Sequence, residues 1–237
     1  MATALLERKL ISVNPFDDVS IPKEGLDAKK KSVLSLDELR TALKTAMSMD
    51  DDLRLLAVLM SHTGMRIGEA AGLRRSDCKK SGDITYVRVE PHDLRGLKTE
   101  TSKREIPIVG RAKEALASLL RQSEGQEYLF GRYAYQGEVR ADAASASLNK
   151  RIRRVTNNQT LSSHCFRHTI EDLMIEANVP KPVQTAIGGW GKSDMSDNYG
   201  KGYSLRVKKE SLEAALLPLN AKADDRAEAA YEPEDNE

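Results

Sequence analysis

One stretch of this 237-residue chain alternates as a strand does, and helical periodicity flanks it on both sides. Between about residues 76 and 110, ITYVRVE is β-branched and alternating, GLKTETSK is polar and turn-like, and REIPIV reads as a returning strand. No other segment carries a comparable β signal. Aromatic residues make up only 5% of the chain and there are eight prolines, which argues against an all-β sandwich. The expected fold is therefore α+β and predominantly helical, with a small antiparallel β-sheet on one side.

The helices are legible from their periods and ends. In SLDELRTALKTAM, Ser35 and Glu38 have the S-x-x-E spacing of a capping box, and apolar residues follow at helical intervals. LRLLAVLMSHTG is an apolar helix running into Gly64, and RIGEAAGL opens another at or near Arg66 after a turn. Helical patterns resume in GRAKEALASLLRQ, in DAASASLNKRIRRVTNN, from His164 to about Ala177, and in LRVKKESLEAALLPL. Before them, SVNPFDDVSIPKEGLDAKKK has the prolines, glycine and mixed charge of a linker. The expected organisation is a linker over residues 1–32, one ordered domain over 33–219, and an acidic, disordered tail over 220–237.

Charge divides along the same lines. Residues 221–237 hold seven acids and two bases, so the overall charge of +1 is a tail of −5 on a body of +6. A basic body suits a polyanionic partner, although a solvated surface with a solubilising tail explains the charges almost as well. No run approaches the roughly 18 to 20 apolar residues of a membrane span, and MATALLERKL lacks a signal-peptide pattern. A soluble protein of the cytoplasm is expected. Cys78 and Cys165 stand apart without CxxC or paired Cys/His spacing, so they suggest neither a disulfide framework nor a zinc site.

Three clusters could carry chemistry. In HTGMRIGE, Gly64 permits a sharp turn and Arg66 stands near a helix start, where exposed N–H groups and a guanidinium favour a bound phosphate. Glu69, three residues on, could hold the arginine in place; Arg66 could equally be a surface or capping residue. In SSHCFRHTIEDL, His164, Arg167 and His168 share one helical face, pairing a proton-transferring imidazole with an anion clamp. A zinc site there lacks the Glu of H-E-x-x-H and a third ligand. In IGGWGKSDMSDNYGKGY, Trp190 precedes Tyr199 by nine residues between glycines. Taken alone, Trp190 is as well explained as a core anchor and Tyr199 as a half-buried loop residue.

In order and spacing these pieces resemble the catalytic domain of the tyrosine recombinases, the phage integrase family. That family carries an Arg in T-G-x-R-x-x-E, a Lys in a β-hairpin, H-x-x-R-H on a helix, a His or Trp, and a Tyr nine residues later. The matching positions are Arg66 with Glu69, Lys98 in LKTETSKREIPI, His164 and Arg167 in HCFRH, Trp190, and Tyr199 in NYG, so the resemblance runs from about Ser35 to Leu217. It implies that Tyr199 attacks the scissile phosphorus to give a 3′-phosphotyrosyl link and a free 5′-hydroxyl, without metal or other cofactor. Arg66 and Arg167 would clamp the non-bridging oxygens. Lys98 would protonate the leaving 5′-oxygen, with Lys103 as its competitor. His164 would assist proton movement or bind phosphate, and His168 would position its neighbours. Trp190 stands where histidine is commoner; its indole can donate one hydrogen bond but cannot exchange a proton. Tyr203 is the rival nucleophile.

The implied partner is double-stranded DNA at an attachment site, cut and rejoined for integration or excision of a phage or mobile element. The chain is expected to be the catalytic part of a longer protein, monomeric without DNA and oligomeric on it through exchange of the C-terminal helix. A type IB topoisomerase-like enzyme and a catalytically silent DNA-binding module of the same fold are the alternatives.

Overall fold

The computed structural model describes residues 12–13, 33–47, 52–96, 102–190 and 202–220. Two compact units separate at residues 1–31 and 32–237. Only Ser12 and Val13 of the first are described, and the account below concerns the second. The expected tail from residue 221 onward lies outside the described residues.

Helix α1 (Leu36–Met47) begins where the capping box places it. The Ser35 N–H donates to Glu38 Oε2 at 2.9 Å, and the Glu38 N–H donates to Ser35 Oγ at 3.2 Å, so two otherwise orphaned amides at the helix start are satisfied reciprocally. Leu39, Ala42 and Leu43 form its buried stripe. Helix α2 (Asp52–Thr63) is buried from Leu53 to Thr63 on nearly every side, as a helix apolar all round must be. It is the central element, packed by α1, by α4 (Arg111–Gln122) and by α6 (His164–Glu176). Two hydroxyls at its buried end are satisfied locally: Ser61 Oγ donates to Val58 O at 2.9 Å and Thr63 Oγ1 to Leu59 O at 2.6 Å.

After a turn and the short α3 (Ile67–Ala71), the chain forms the antiparallel sheet β1–β2–β3: Cys78–Ser81, Ile84–Val89 and Arg104–Pro107. Register runs Cys78 against Val87 on one side and Val89 against Arg104 on the other. The two strands read from the sequence are β2 and β3. The third, β1, was not legible: CKKS is largely exposed and becomes a strand by pairing with β2. Two further elements also lacked a sequence signal, the hairpin β4–β5 (Ala134–Tyr135, Glu138–Val139) and helix α7 (Lys181–Gly188). Helix α5 (Ala141–Thr156) buries Ala144, Leu148 and Ile152 along one face.

The last helix, α8 (Leu205–Asn220), packs on its own chain against α6, α7 and β3. Leu212, Ala215, Leu216 and Leu219 are buried there, and the Lys208 ammonium, itself buried, donates to Glu105 O at 2.6 Å. Burial lowers the Lys208 pKa. The mostly helical fold with a small antiparallel sheet agrees with the expectation. Among the described residues no helix is long and apolar enough to cross a membrane.

Because Ser35 and Glu38 satisfy each other's amides, replacing Ser35 by Ala should lower stability by about 1 kcal/mol. Urea unfolding followed by circular dichroism measures this; an unchanged midpoint would mean that the box contributes nothing.

Candidate active site

The turn between α2 and α3 is built from its side chains. Thr63 Oγ1, already donating to Leu59 O, accepts the Met65 N–H at 3.3 Å. Gly64 takes the left-handed conformation at φ +66° that only glycine adopts without strain. This sharp reversal sets Arg66 at the N-cap of α3. Its backbone N–H donates to Glu69 Oε2 at 2.8 Å and its Nη1 to Glu69 Oε1 at 2.8 Å. The expected pairing of Arg66 with Glu69 is therefore present. Arg66 Nη1 also donates to Ser102 Oγ at 3.3 Å, and Nη2 donates to Gly189 O at 3.4 Å.

Arg167 comes from the first turns of α6 and is buried, at 3% exposure. Its Nη1 donates to Gly64 O, and also to Gly188 O at 2.6 Å; Nη2 donates to Gly189 O at 3.3 Å. Arg66 and Arg167 thus share one carbonyl oxygen, that of Gly189, at the end of α7. Burial, and then the neighbouring Arg66 and Arg104, lower the Arg167 pKa to about 9, so it remains a cation at neutral pH.

Trp190 covers this pair. Its ring centroid lies 4.7 Å from Arg167 Cζ, a cation–π contact. The indole occupies space that two glycines leave open. A Cβ on Gly188 would come within 2.1 Å of the indole, and one on Gly64 within 3.4 Å of it and 2.9 Å of Ile170 Cγ2. The indole Nε1 is buried and meets no hydrogen-bond partner among the described residues.

One residue of this cluster is missing from the sequence expectation. Arg104, opening β3, places its guanidinium on Glu69: Nη2 donates to Oε2 at 2.8 Å and Nη1 to Oε1 at 3.2 Å. Its Nε donates to Ile187 O at 2.7 Å, and Nη1 also to Ser102 O at 2.7 Å. A signal was available, since Arg104 has the same strand parity as the buried Ile106 and so faces inward. Burial would push the Glu69 carboxyl up, but the charge and hydrogen bonds of Arg104 and the hydrogen bonds from Arg66 outweigh it and hold the pKa at about 2.

His164 opens α6 and is exposed, with its ring edge-on to His168 at 5.8 Å between centroids. Lys103 is exposed, one residue before Arg104. Lys98 and Tyr199 lie outside the described residues. Of the expected site residues, then, Arg66, Glu69, Arg167 and Trp190 come together, with His164 and His168 on the helix that carries Arg167. Among the described residues no three His, Cys, Asp or Glu side chains gather to hold a metal ion.

Chemically the site is rich in donors. Two guanidiniums, those of Arg66 and Arg104, hold one buried carboxylate, a third, that of Arg167, rests on backbone carbonyls beside them, and the other acceptors are neutral, so a bound anion would be favoured.

Comparison with known proteins gives a consistent picture. The sequence profile of the phage integrase family matches residues 32–204. The prophage ps2 probable integrase of Lactococcus lactis is 27% identical over 216 residues, covering 77% of this chain and 55% of that protein. The tyrosine recombinase XerC of Bacillus pumilus is 26% identical over 197 residues, covering 78% of this chain and 61% of the relative. The chain thus spans little more than half the length of these two relatives. Among solved structures, the Tn1549 transposon integrase in complex with transposon right end DNA superposes with a TM-score of 0.62 at 18% identity, covering 93% of this chain and 76% of the other. The integrase of mycobacterium phage Brujita does so with a TM-score of 0.57 at 16% identity, covering 93% and 73%. At such identities the structural likeness is one of fold.

Two outcomes follow from the geometry. Gly188→Ala should displace the indole and destabilise the protein by about 1–3 kcal/mol through overpacking. Trp190 is the only tryptophan, so its emission spectrum and a thermal melt report both effects, and an unmoved spectrum would contradict the contact. For Glu69, whose folded pKa is depressed, the stabilisation is present above the unfolded value near 4.5 and is lost as pH falls toward about 2. Between these pH values the urea midpoint should fall more steeply for the wild type than for Glu69→Gln; parallel slopes would refute the linkage.

Proposed function

The chain belongs to the phage integrase family, and on that premise we propose that it breaks and rejoins DNA strands site-specifically through a covalent bond to Tyr199. Residues 33–219 are the catalytic domain of this reading, 1–32 an interdomain linker, and 220–237 a tail. The observation that carries the reading is the convergence of two cations on one acceptor. Arg66 Nη2 and Arg167 Nη2 lie 3.4 Å and 3.3 Å from the same Gly189 O. Like charges are held that close where a shared anion offsets their repulsion, and a phosphodiester passing through a pentacoordinate transition state is such an anion.

Arg66 and Arg167 clamp the two non-bridging oxygens of the scissile phosphate, and the Trp190 N–H donates to one of them. The Tyr199 hydroxyl attacks in line, forming a phosphorus–oxygen bond to the 3′ side as the bond to the 5′-oxygen breaks. The departing oxygen takes its proton from the Lys98 ammonium. The phenol proton leaves toward His164, and His168 supports that ring. Attack of a 5′-hydroxyl on the phosphotyrosyl bond runs the sequence backward, so no external energy source is needed.

Double-stranded DNA is the partner, in the cytoplasm of a bacterial host. Assembly on DNA proceeds by exchange of α8, which in the absence of DNA covers its own core. Integration or excision of a mobile element is the role that fits relatives named as integrases. The topoisomerase and silent-module readings are not favoured.

The test is to incubate the chain with a pool of nicked duplexes of randomised sequence, recover DNA covalently bound to protein, and map the linked peptide. Tyr199→Phe should abolish the adduct and Tyr203→Phe should retain it. An adduct that survives Tyr199→Phe would overturn the assignment.

A further inference from the structure

Arg104 is a positively charged side chain spent wholly on other protein groups. Its side chain is 4% exposed. Four hydrogen bonds leave its Nε, Nη1 and Nη2 for Glu69 Oε1 and Oε2, Ser102 O and Ile187 O. These partners lie on three separate pieces of chain: α3, the segment entering β3, and the last turn of α7.

Both anchored points touch the two phosphate clamps. The Glu69 carboxylate that Arg104 grips on both oxygens also accepts Arg66 Nη1 on Oε1 and the Arg66 backbone N–H on Oε2. Ser102, whose carbonyl Arg104 holds, offers its hydroxyl to Arg66 Nη1. On the other side, Ile187 O is followed directly by Gly188 O and Gly189 O, the carbonyls that receive Arg167. Three successive carbonyls at the end of α7 therefore accept from two arginines, Arg104 and Arg167, and Arg66 joins at the last of them.

We propose that Arg104 is the positioning residue of this site: by bridging the Glu69 carboxylate and the Ile187 carbonyl, it sets Arg66 and Arg167 in register with one another. The proposal rests on the reading of the site as a phosphodiester strand-transfer centre. The bridge needs a planar fork, because one cation must meet both carboxylate oxygens along one edge and a carbonyl from Nε along another. A lysine keeps the charge but presents a single point and cannot span these partners. The charge alone is therefore insufficient, and Arg104→Lys is the informative variant, with Arg104→Met as the stronger perturbation.

Two measurements test it. The first needs no reaction: in the DNA-free chain, the ¹⁵N signals of the Arg66 guanidinium, assigned through Arg66→Lys, report whether that side chain is held. Arg104→Lys should shift them and speed rotation about the Cζ–N bonds while circular dichroism shows the same folded fraction. The second is single-turnover cleavage of a nicked duplex recovered from the adduct selection. There, Arg104→Lys should slow adduct formation by about 10- to 100-fold, the scale of a small misplacement of reacting groups, with DNA affinity changed far less. If Arg104 acts through Arg66, the double variant Arg66→Lys/Arg104→Lys should be no slower than Arg66→Lys alone, whereas a general loss of stability would add. Unchanged Arg66 signals, wild-type cleavage by Arg104→Lys, or additive losses would each overturn the proposal. Absence of any adduct from the wild type would instead sink the strand-transfer reading, and the Arg66 signals would still decide whether Arg104 positions that side chain.

Discussion

The carboxylate of Glu69 is buried between Arg66 and Arg104, with Arg167 close behind. Removing one carboxylate and three guanidiniums from water is costly by several kcal/mol per ion, and a single negative charge cannot offset three positive ones. What closes the gap is the carbonyl end of α7. A helix C-terminus exposes unsatisfied carbonyls and carries the negative end of the helix dipole, and here Ile187, Gly188 and Gly189 present their oxygens to the three arginines. The position of α7 is thus set by electrostatics as much as by the burial of Val183 and Ile187.

The architecture around this cluster makes sense as its support. Helix α2 is apolar on nearly all sides and passes through the centre, so the Thr63–Gly64 reversal at its end is rigidly placed and Arg66 with it. The sheet gives β3 a fixed register against β2, Val89 opposite Arg104, and thereby fixes where the Arg104 fork begins. Helix α8 pins the same strand one residue further along, through the Lys208 ammonium on Glu105 O. Such a cluster tolerates little slack, since the hydrogen bonds that join its separate elements reach across 21 to 123 residues of sequence.

How much of this was legible depended on whether a residue's role was local. The Ser35–Glu38 box and the Arg66–Glu69 pair both act across three residues, and their spacing alone announced them. Strands β2 and β3 announced themselves through alternation. Helix α7 did not, because eight residues bounded by Pro180 and Gly189 leave too short a window for a period, and β1 did not because a polar strand owes its form to its neighbour. Arg104 falls between these cases. Its inward parity was readable in REIPIV, but the partner that makes an inward arginine tolerable lies 35 residues away on another element, and no spacing rule connects them. Likewise Trp190 could be placed by its distance from Tyr199, while its dependence on the missing side chains of Gly64 and Gly188 is a matter of three-dimensional contact.

The indole supplies the last step. It lies over the Arg167 guanidinium, which its face attracts, and this sheds water from a cation that is already buried. A desolvated guanidinium binds an anion more strongly than a hydrated one, because the local dielectric is lower. Meanwhile the indole N–H is itself buried and donates to no group among the described residues, and a buried donor left so is unfavourable until an acceptor arrives. Acceptors within the protein are already shared: Glu69 between two arginines, and the α7 carbonyls among three. An incoming phosphate oxygen would meet both needs, offsetting the mutual repulsion of Arg66 and Arg167 while accepting from Trp190. Tryptophan in place of a titratable histidine then leaves anion binding independent of pH at that position, and assigns proton transfer in the proposed reaction to groups other than the one that covers the clamp.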